Sequence, residues 1–253
     1  MFFLCLLFSL TLSAQNSYNY KAIYELSYVR DSSSVKESKE LLVLLLNENQ
    51  ESFFQNYRQF KMDSTKTSEM KGLGAFIGEK VITKNSSKKI DISRNFNSVN
   101  TYYTEDIPQD WKITTSESII NGIKCKEATL QAYGRNWTAC YSEDYPFQFG
   151  PYLFAGLPGL IVKVEDQQKY FSFTLSSFKK ENNVIMNKNE GKEVSKVKFY
   201  EMTYDSDFSG TIFNSFRMED AAQKENLRIR YMEALKRKNT FPIDKSMRYI
   251  FNR

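Results

Sequence analysis

The chain has 253 residues, 41% of them hydrophobic, which is enough to bury a sizeable core. It contains no histidine, which excludes Ser-His and Cys-His nucleophilic catalysis and every histidine-ligated zinc site. The net charge of +5 is local: residues 217–253 hold ten Lys/Arg against five Asp/Glu while the rest is balanced, a pattern suited to an acidic surface partner or to solubility rather than to nucleic acid.

Residues 1–14 read as a secretory signal peptide. Phe2 to Leu12 is an apolar run of suitable length, and Ser13-Ala14 offers small residues for cleavage before Gln15. Cys5 lies within that run without the small residues that precede a lipidated cysteine, so no lipid anchor is expected. No later run reaches the ~18–20 apolar residues of a transmembrane span. The expected location is therefore exported, periplasmic or at the cell surface. Two cysteines remain, Cys125 and Cys140. An oxidising compartment permits a disulfide between them, and two buried thiols are the alternative.

Aromatic residues make up 15% of the chain and favour sheet. From Tyr18 to Val29 the pattern alternates, with Tyr18, Tyr20, Ala22, Tyr24, Leu26 and Tyr28 on one face and Lys21 and Glu25 on the other. Asp31–Ser34 is a turn cluster. Leu41–Leu46 reads as a buried strand that pairs with Ser52–Tyr57. Phe60–Lys71 is polar and irregular, a long loop or a short helix. Strands are expected over Ala75–Thr83, Ile90–Ile92 and Val99–Thr104. Trp111–Ser116 and Ile123–Gln131 flank Asn121-Gly122, a strong hairpin signal. Asn136–Tyr141 precedes a proline-rich corner, and Leu160–Val164 with Tyr170–Phe178 forms a further hairpin. Val184–Met186 and Lys196–Tyr204 are weaker strands. One strong helix is expected over about 216–238, with Ser215 as N-cap and Glu219 and Asp220 in its first turn. Leu227, Tyr231 and Leu235 would form its buried stripe, with Lys236–Lys238 at its end. The whole predicts a mainly β (β-dominated α+β) fold: one domain over 15–253, a curved antiparallel sheet or half-barrel with a C-terminal helix packed on it.

Several chemistries have no residues to carry them. Gly156-Leu-Pro-Gly159 is not followed by Gly-Lys-Ser/Thr, and Pro158 removes an N–H that a phosphate nest would use. Asp205–Asp207 lacks the glycine and distal glutamate of a calcium loop and reads as a solvated loop. No metal or cofactor is expected. Carboxylate pairs such as Glu143-Asp144 and Glu165-Asp166 read as solvated turns, although two carboxylates elsewhere could support glycoside hydrolysis.

Three of the five prolines and three of the ten glycines fall between 146 and 159. Leu157-Pro158-Gly159-Leu160 fits a type II turn with a left-handed Gly159. Phe147, Phe149, Tyr152 and Phe154 can fold inward as a plug at one end of the sheet or line a pocket. Trp111 and Trp137 stack on a ligand or belong to the core. Arg135 binds an anion or pairs with Asp166 or Glu143, and Asp166 caps the turn after its strand.

These residues resemble the GLPGLI family. The match runs through Trp111, Gly122-Ile-Lys-Cys125-Lys-Glu-Ala128, Gly134-Arg135 with Trp137, Gly150-Pro-Tyr-Leu-Phe154, Gly156–Ile161 and Asp166. It covers about 110–178 and is thinner elsewhere. Cys140 stands where the family usually has an aromatic, and Phe241-Pro-Ile-Asp244 only approximates its Asn-Pro-Ile-Glu ending. The resemblance implies an exported protein of Gram-negative bacteria rich in TonB-dependent outer-membrane receptors. It also implies kinship with a bowl-like, non-catalytic β module of a secreted deglycosylating enzyme. The expected function is a non-enzymatic accessory or binding module for an outer-membrane receptor, another envelope protein or a small ligand, with the aromatic corner as its partner face. The alternatives are a half-barrel carrier of a lipid or other apolar ligand, and a carboxylate-based glycan hydrolase.

Overall fold

Alternation in β1 (Asn16–Val29) decides which side of the protein becomes the core. Ala22, Tyr24, Leu26 and Tyr28 are buried, while Lys21 and Glu25 on the opposite face pair with Glu181 and Lys39. The computed structural model describes residues 16–29, 37–65, 75–186, 191–208, 220–239, 243–247 and 250. The expected leader, the Asp31–Ser34 turn and Ser215 lie outside them.

On one side of β1 an antiparallel meander runs through β2 (Glu37–Leu46), β3 (Glu51–Asn56), β4 (Lys80–Lys84), β5 (Lys89–Phe96) and β6 (Val99–Asp106). On the other side β1 pairs with β11 (Phe171–Met186). From there a second meander runs back through β10 (Leu160–Asp166), β9 (Arg135–Ser142), β8 (Ile123–Ala132) and β7 (Lys112–Ile120). The two-residue β12 (Lys192–Glu193) joins β6 in parallel. The protein is thus mainly β, one open 12-stranded sheet in the order β12-β6-β5-β4-β3-β2-β1-β11-β10-β9-β8-β7.

Connectivity requires that this sheet be curved. β6 and β7 stand ten strand steps apart, yet only residues 107–111 join them. Laid flat, ten steps would span ~48 Å, whereas six Cα steps reach at most ~21 Å. The sheet therefore curls until its two ends approach, helped by the right-handed twist of its strands. Inward side chains from both meanders, including Phe54, Ile92, Leu130, Trp137 and Phe173, consequently form one core cluster inside the curl.

Among the described residues three α-helices flank the sheet. α1 (Tyr57–Thr65) occupies the segment read as loop or short helix, and Asn56 caps it by accepting from the N–H groups of Arg58 and Gln59 at 2.9 and 3.2 Å. Its Phe60 covers Val43, Leu45, Phe53 and Ile82 on the outer face. Tyr18, assigned by alternation to the inner stripe, joins this outer cluster, because β1–β11 pairing shifts between Tyr18 and Tyr20. Before β4, the expected strand at 75–79 is an extended segment held by Glu40, which accepts from Phe76 N at 2.9 Å.

α2 (Lys196–Phe208) replaces the strand expected at 196–204. Ser195 caps it, and Phe199, Tyr200, Thr203 and Tyr204 recur at helical spacing while Val197 is exposed. Asp205–Asp207 thus sits on a helix rather than in a loop. α2 packs on β5 and β6. α3 (Ala221–Asn239) is the expected C-terminal helix, but its N-cap is Asp220, whose carboxylate accepts from Ala222 N at 2.8 Å. α3 lies beside α2, and Leu227, expected in a buried stripe, is 40% exposed. The side chains of Tyr231 and Leu235 lie outside the described residues. No helix among the described residues is long and apolar enough to cross a membrane.

Candidate functional site

The corner at 143–159 is a closed loop that fills the curl. Its backbone bonds to itself and to the strand it launches: Gly156 N to Gln148 O at 3.0 Å, Leu160 N to Tyr145 O at 3.0 Å and Ile161 N to Phe149 O at 2.9 Å. Phe154 sits among Trp111, Tyr133, Trp137 and Phe173, with its ring centroid 4.6 Å from that of Trp137. Tyr152 meets Phe54, Phe149 is fully buried, and Phe147 packs on Tyr20 and Phe178. Both indoles are tied down, Trp111 donating to Ala155 O at 2.9 Å and Trp137 to Ala132 O at 3.1 Å. These side chains are spent on core contacts, so the expected aromatic partner face is a packed plug.

The GLPGLI segment differs from the expected turn. Gly159 is not left-handed; it is glycine because a Cβ there would stand 2.2 Å from Ser142 O. The left-handed residues are Gly156 (φ 94°) and, against the preference of an aromatic side chain, Tyr152 (φ 55°). Leu157 is buried and Pro158 exposed. Tyr24 donates to Ile161 O at 2.7 Å, beside the β9–β10 register shift between Ile161 and Lys163. Burial raises the pKa of this phenol, which keeps it a donor.

Three further motif residues meet where the C-terminal segment docks. Arg135 and Asp166, both with fully buried side chains, pair at 3.0 Å. Asp166 also accepts from Phe171 N at 2.8 Å, capping its turn. Arg135 donates to Ile243 O at 3.0 Å and lies 4.7 Å from the Phe171 ring centroid. Gly134 (φ 68°) is bare because Lys245 Cβ would lie 2.9 Å from a Cβ there, and Lys245 N bonds Tyr133 O at 3.0 Å. Beside them Lys196 reaches Glu105 at 2.6 Å and Asp244 at 2.8 Å. Burial raises the Glu105 pKa, with Lys196 opposing. For Lys196, burial works toward a lower value, but Glu105 and Asp244 outweigh it and the net shift is upward. Glu143, the other partner considered for Arg135, pairs instead with Lys126 at 2.9 Å.

Cys125 and Cys140 are free, buried thiols. Register explains this: Cys140 stands opposite Glu127, so Cys125 is its diagonal neighbour. Diagonal residues stand ~7–8 Å apart, beyond the usual reach of a disulfide. Burial pushes the Cys125 thiol up to about 11.

An open feature lies behind the plug at one rim of the sheet. A cleft of about 500 Å³ is lined by Asn49 and Gln50, Asn85 and Lys88, Gln109, and Gln148. These come from the β2–β3 turn, the β4–β5 turn, the β6–β7 connection and the corner itself. Gly156 lies in the lining, so one side of GLPGLI faces the plug's base and the other the cleft. A Cβ on Gly156 would stand 3.3 Å from Gln109 Nε2. Asn85 cross-links the walls, Nδ2 to Gln148 Oε1 at 2.9 Å and N to Gln50 O at 3.0 Å. None of these residues stood out in the sequence, because Asn, Gln and Lys in short polar turns have an adequate local explanation.

No family model matches the chain, and none of the curated proteins compared with it does. Among solved structures, PNGF-II in a C2 crystal form is similar over 77% of this chain, with 16% identity and a TM-score of 0.57. Its P21 form is similar over 75%, with 15% identity and a TM-score of 0.56. The chain covers 34% of PNGF-II, about a third of its length. At that identity the likeness shows the fold. A LolA superfamily protein from Nitrosomonas europaea aligns over 65% of this chain, with 12% identity and a TM-score of 0.30.

Proposed function

We propose that the protein is an exported, non-enzymatic binding module of the GLPGLI family that serves a TonB-linked outer-membrane system through its rim cleft. The observation that carries this reading is the contrast between the two sides of the corner. The aromatic side is consumed by the core, whereas the cleft presents carboxamides from four separate loops to solvent. The buried ionic cluster supports a structural role for its own residues. Glu105 and Asp244 face each other, but the Lys196 ammonium occupies the gap that a hydrolase would give to substrate.

The test is capture from an outer-membrane extract by the native protein and by an Asn85→Ala/Gln148→Ala variant. Recovery of a TonB-dependent receptor or its plug domain by the native protein alone supports the reading. Equal recovery by both moves the working surface away from the cleft.

A carrier of apolar ligands is the second reading, favoured by an open curved sheet with an apolar inner face. It requires the plug at 147–154 to leave the curl.

A further inference from the structure

We infer that the rim cleft is a saccharide site, an inference that rests on the cleft being the binding surface. Its lining selects the ligand chemistry. A sugar hydroxyl both donates and accepts, and a carboxamide offers both functions on one planar group. Asn85 Nδ2 is engaged with Gln148 Oε1 at 2.9 Å and Gln50 Oε1 at 3.5 Å. The amide nitrogens of Gln50 and Gln148 and the carbonyl oxygen of Asn85 make no hydrogen bond among the described residues and belong to side chains that line the cleft. Asn49 and Gln109 add two further carboxamides.

The exclusions are as informative. Lys88 is the one charged group in the lining, and no aromatic or carboxylate belongs to it. A polyphosphate or nucleic acid would need several cations. An acyl chain would need apolar walls, and Pro146 is the one apolar side chain present. Exposed Pro146 instead suits the C–H face of a single pyranose ring. A peptide is disfavoured because turns line the cleft, with neither an open strand edge nor an apolar side-chain pocket to read it. The ligand is therefore a neutral sugar, or one with a single carboxylate opposite Lys88.

The site is also held in shape. Ile107 N bonds Lys88 O at 2.9 Å, Gly156 N bonds Gln148 O at 3.0 Å, and Trp111 fixes Ala155 O from behind. Gln50 and Lys88 both hold left-handed backbones, at φ 58° and 53°, which set the two turns that aim their neighbours into the cleft. Walls fixed before binding lower the ordering cost that weakens sugar recognition. The volume of about 500 Å³ lies in the range of small-ligand sites.

The experiment is a titration of the isotopically labelled protein with cellobiose, maltose and a glucuronate-containing disaccharide, followed by amide chemical shifts. Saturable shifts confined to the 47–50, 85–88, 107–109 and 146–156 loops are expected with at least one sugar. Gln148→Ala should weaken that binding about three- to tenfold, the worth of one hydrogen bond. Gln131→Ala, at an exposed position of β8, should leave it unchanged. No shift with any sugar at about 50 mM, where a 1 mM Kd would be saturated, overturns the inference. If a blocked dipeptide shifts the same amides instead, the sugar assignment fails and the cleft stands as the binding surface. If the captured receptor perturbs only amides elsewhere, both fail.

Discussion

Gly159 has no room for one more carbon, while Gly122 has room but an unusual backbone. A Cβ at Gly159 would meet Ser142 O at 2.2 Å and Glu143 N at 2.9 Å, all main chain that cannot swing aside. At Gly122 φ is 83° and nothing lies within 4 Å. Gly159→Ala should therefore cost about 3 kcal/mol or more through forced backbone movement. Gly122→Ala should cost about 1–2 kcal/mol, the left-handed penalty alone. Urea melts of the two variants check this, and equal losses would show that the corner yields easily. Asp166 is the second position where one atom set matters. Its carboxylate neutralises a fully buried Arg135 and accepts from Phe171 N. Asp166→Ala removes the carboxylate that faces the buried Arg135 charge and the acceptor of Phe171 N, and should cost about 3–5 kcal/mol. A loss below about 1 kcal/mol would mean that water or another group reaches Arg135.

At the scale of elements, the C-terminal segment and α2 behave as one latch. Lys196 opens α2, Glu105 lies one residue before the end of β6, and Asp244 precedes a short turn at Lys245–Met247 that it caps through Ser246 N at 2.9 Å. Because burial raises the Glu105 pKa, the folded state holds its proton more tightly than the unfolded state does. Stability therefore falls as pH rises from the ordinary glutamate value through the raised one. Compared with Glu105→Gln, the native protein should lose its stability margin as pH climbs toward neutrality, read from urea midpoints of the two proteins. A margin that grows with pH would mean that the ion pair to Lys196 outweighs the burial. The strands of this architecture were legible because their signals are local: alternation in β1, a continuous apolar run in β2 and the Asn121-Gly122 turn between β7 and β8 can each be read from a dozen residues. α2 was not, since Phe199, Tyr200, Thr203 and Tyr204 are residue types that favour strands, and their helical spacing is too short a run to overrule that preference without the Ser195 cap. The latch was half visible. Asp166 was one of two partners the sequence offered Arg135, with Glu143 the other, whereas Lys196 reaches Glu105 and Asp244 only once the sheet has curled. The carboxamide cleft was invisible for the same reason, its lining being four ordinary turns until the fold gathers them.

The whole molecule poses one question, whether the curl is filled permanently or only while empty of ligand. Ten strand steps closed by a five-residue connection leave an interior that must hold something. The protein supplies Phe149, Tyr152 and Phe154 from the corner, with Phe199 from α2. The corner is anchored on both sides, by Trp111 donating to Ala155 O and by Tyr24 donating to Ile161 O. Leaving would break those bonds and expose several buried rings, each worth roughly 2–3 kcal/mol of apolar burial. A lipid would have to repay that loss in contacts. Protein purified without detergent should therefore show the mass of the polypeptide alone by native mass spectrometry. Phe154→Ala sharpens the test, because it removes the ring shared by Trp111, Tyr133, Trp137 and Phe173. It should destabilise the protein by about 3–5 kcal/mol and open a dry apolar cavity. Such a cavity takes up a small apolar probe such as benzene, and the probe should raise the melting temperature of the variant but not of the native protein. Stoichiometric lipid on the native protein, displaced by the probe, would instead show that the plug opens and that the carrier reading describes the molecule.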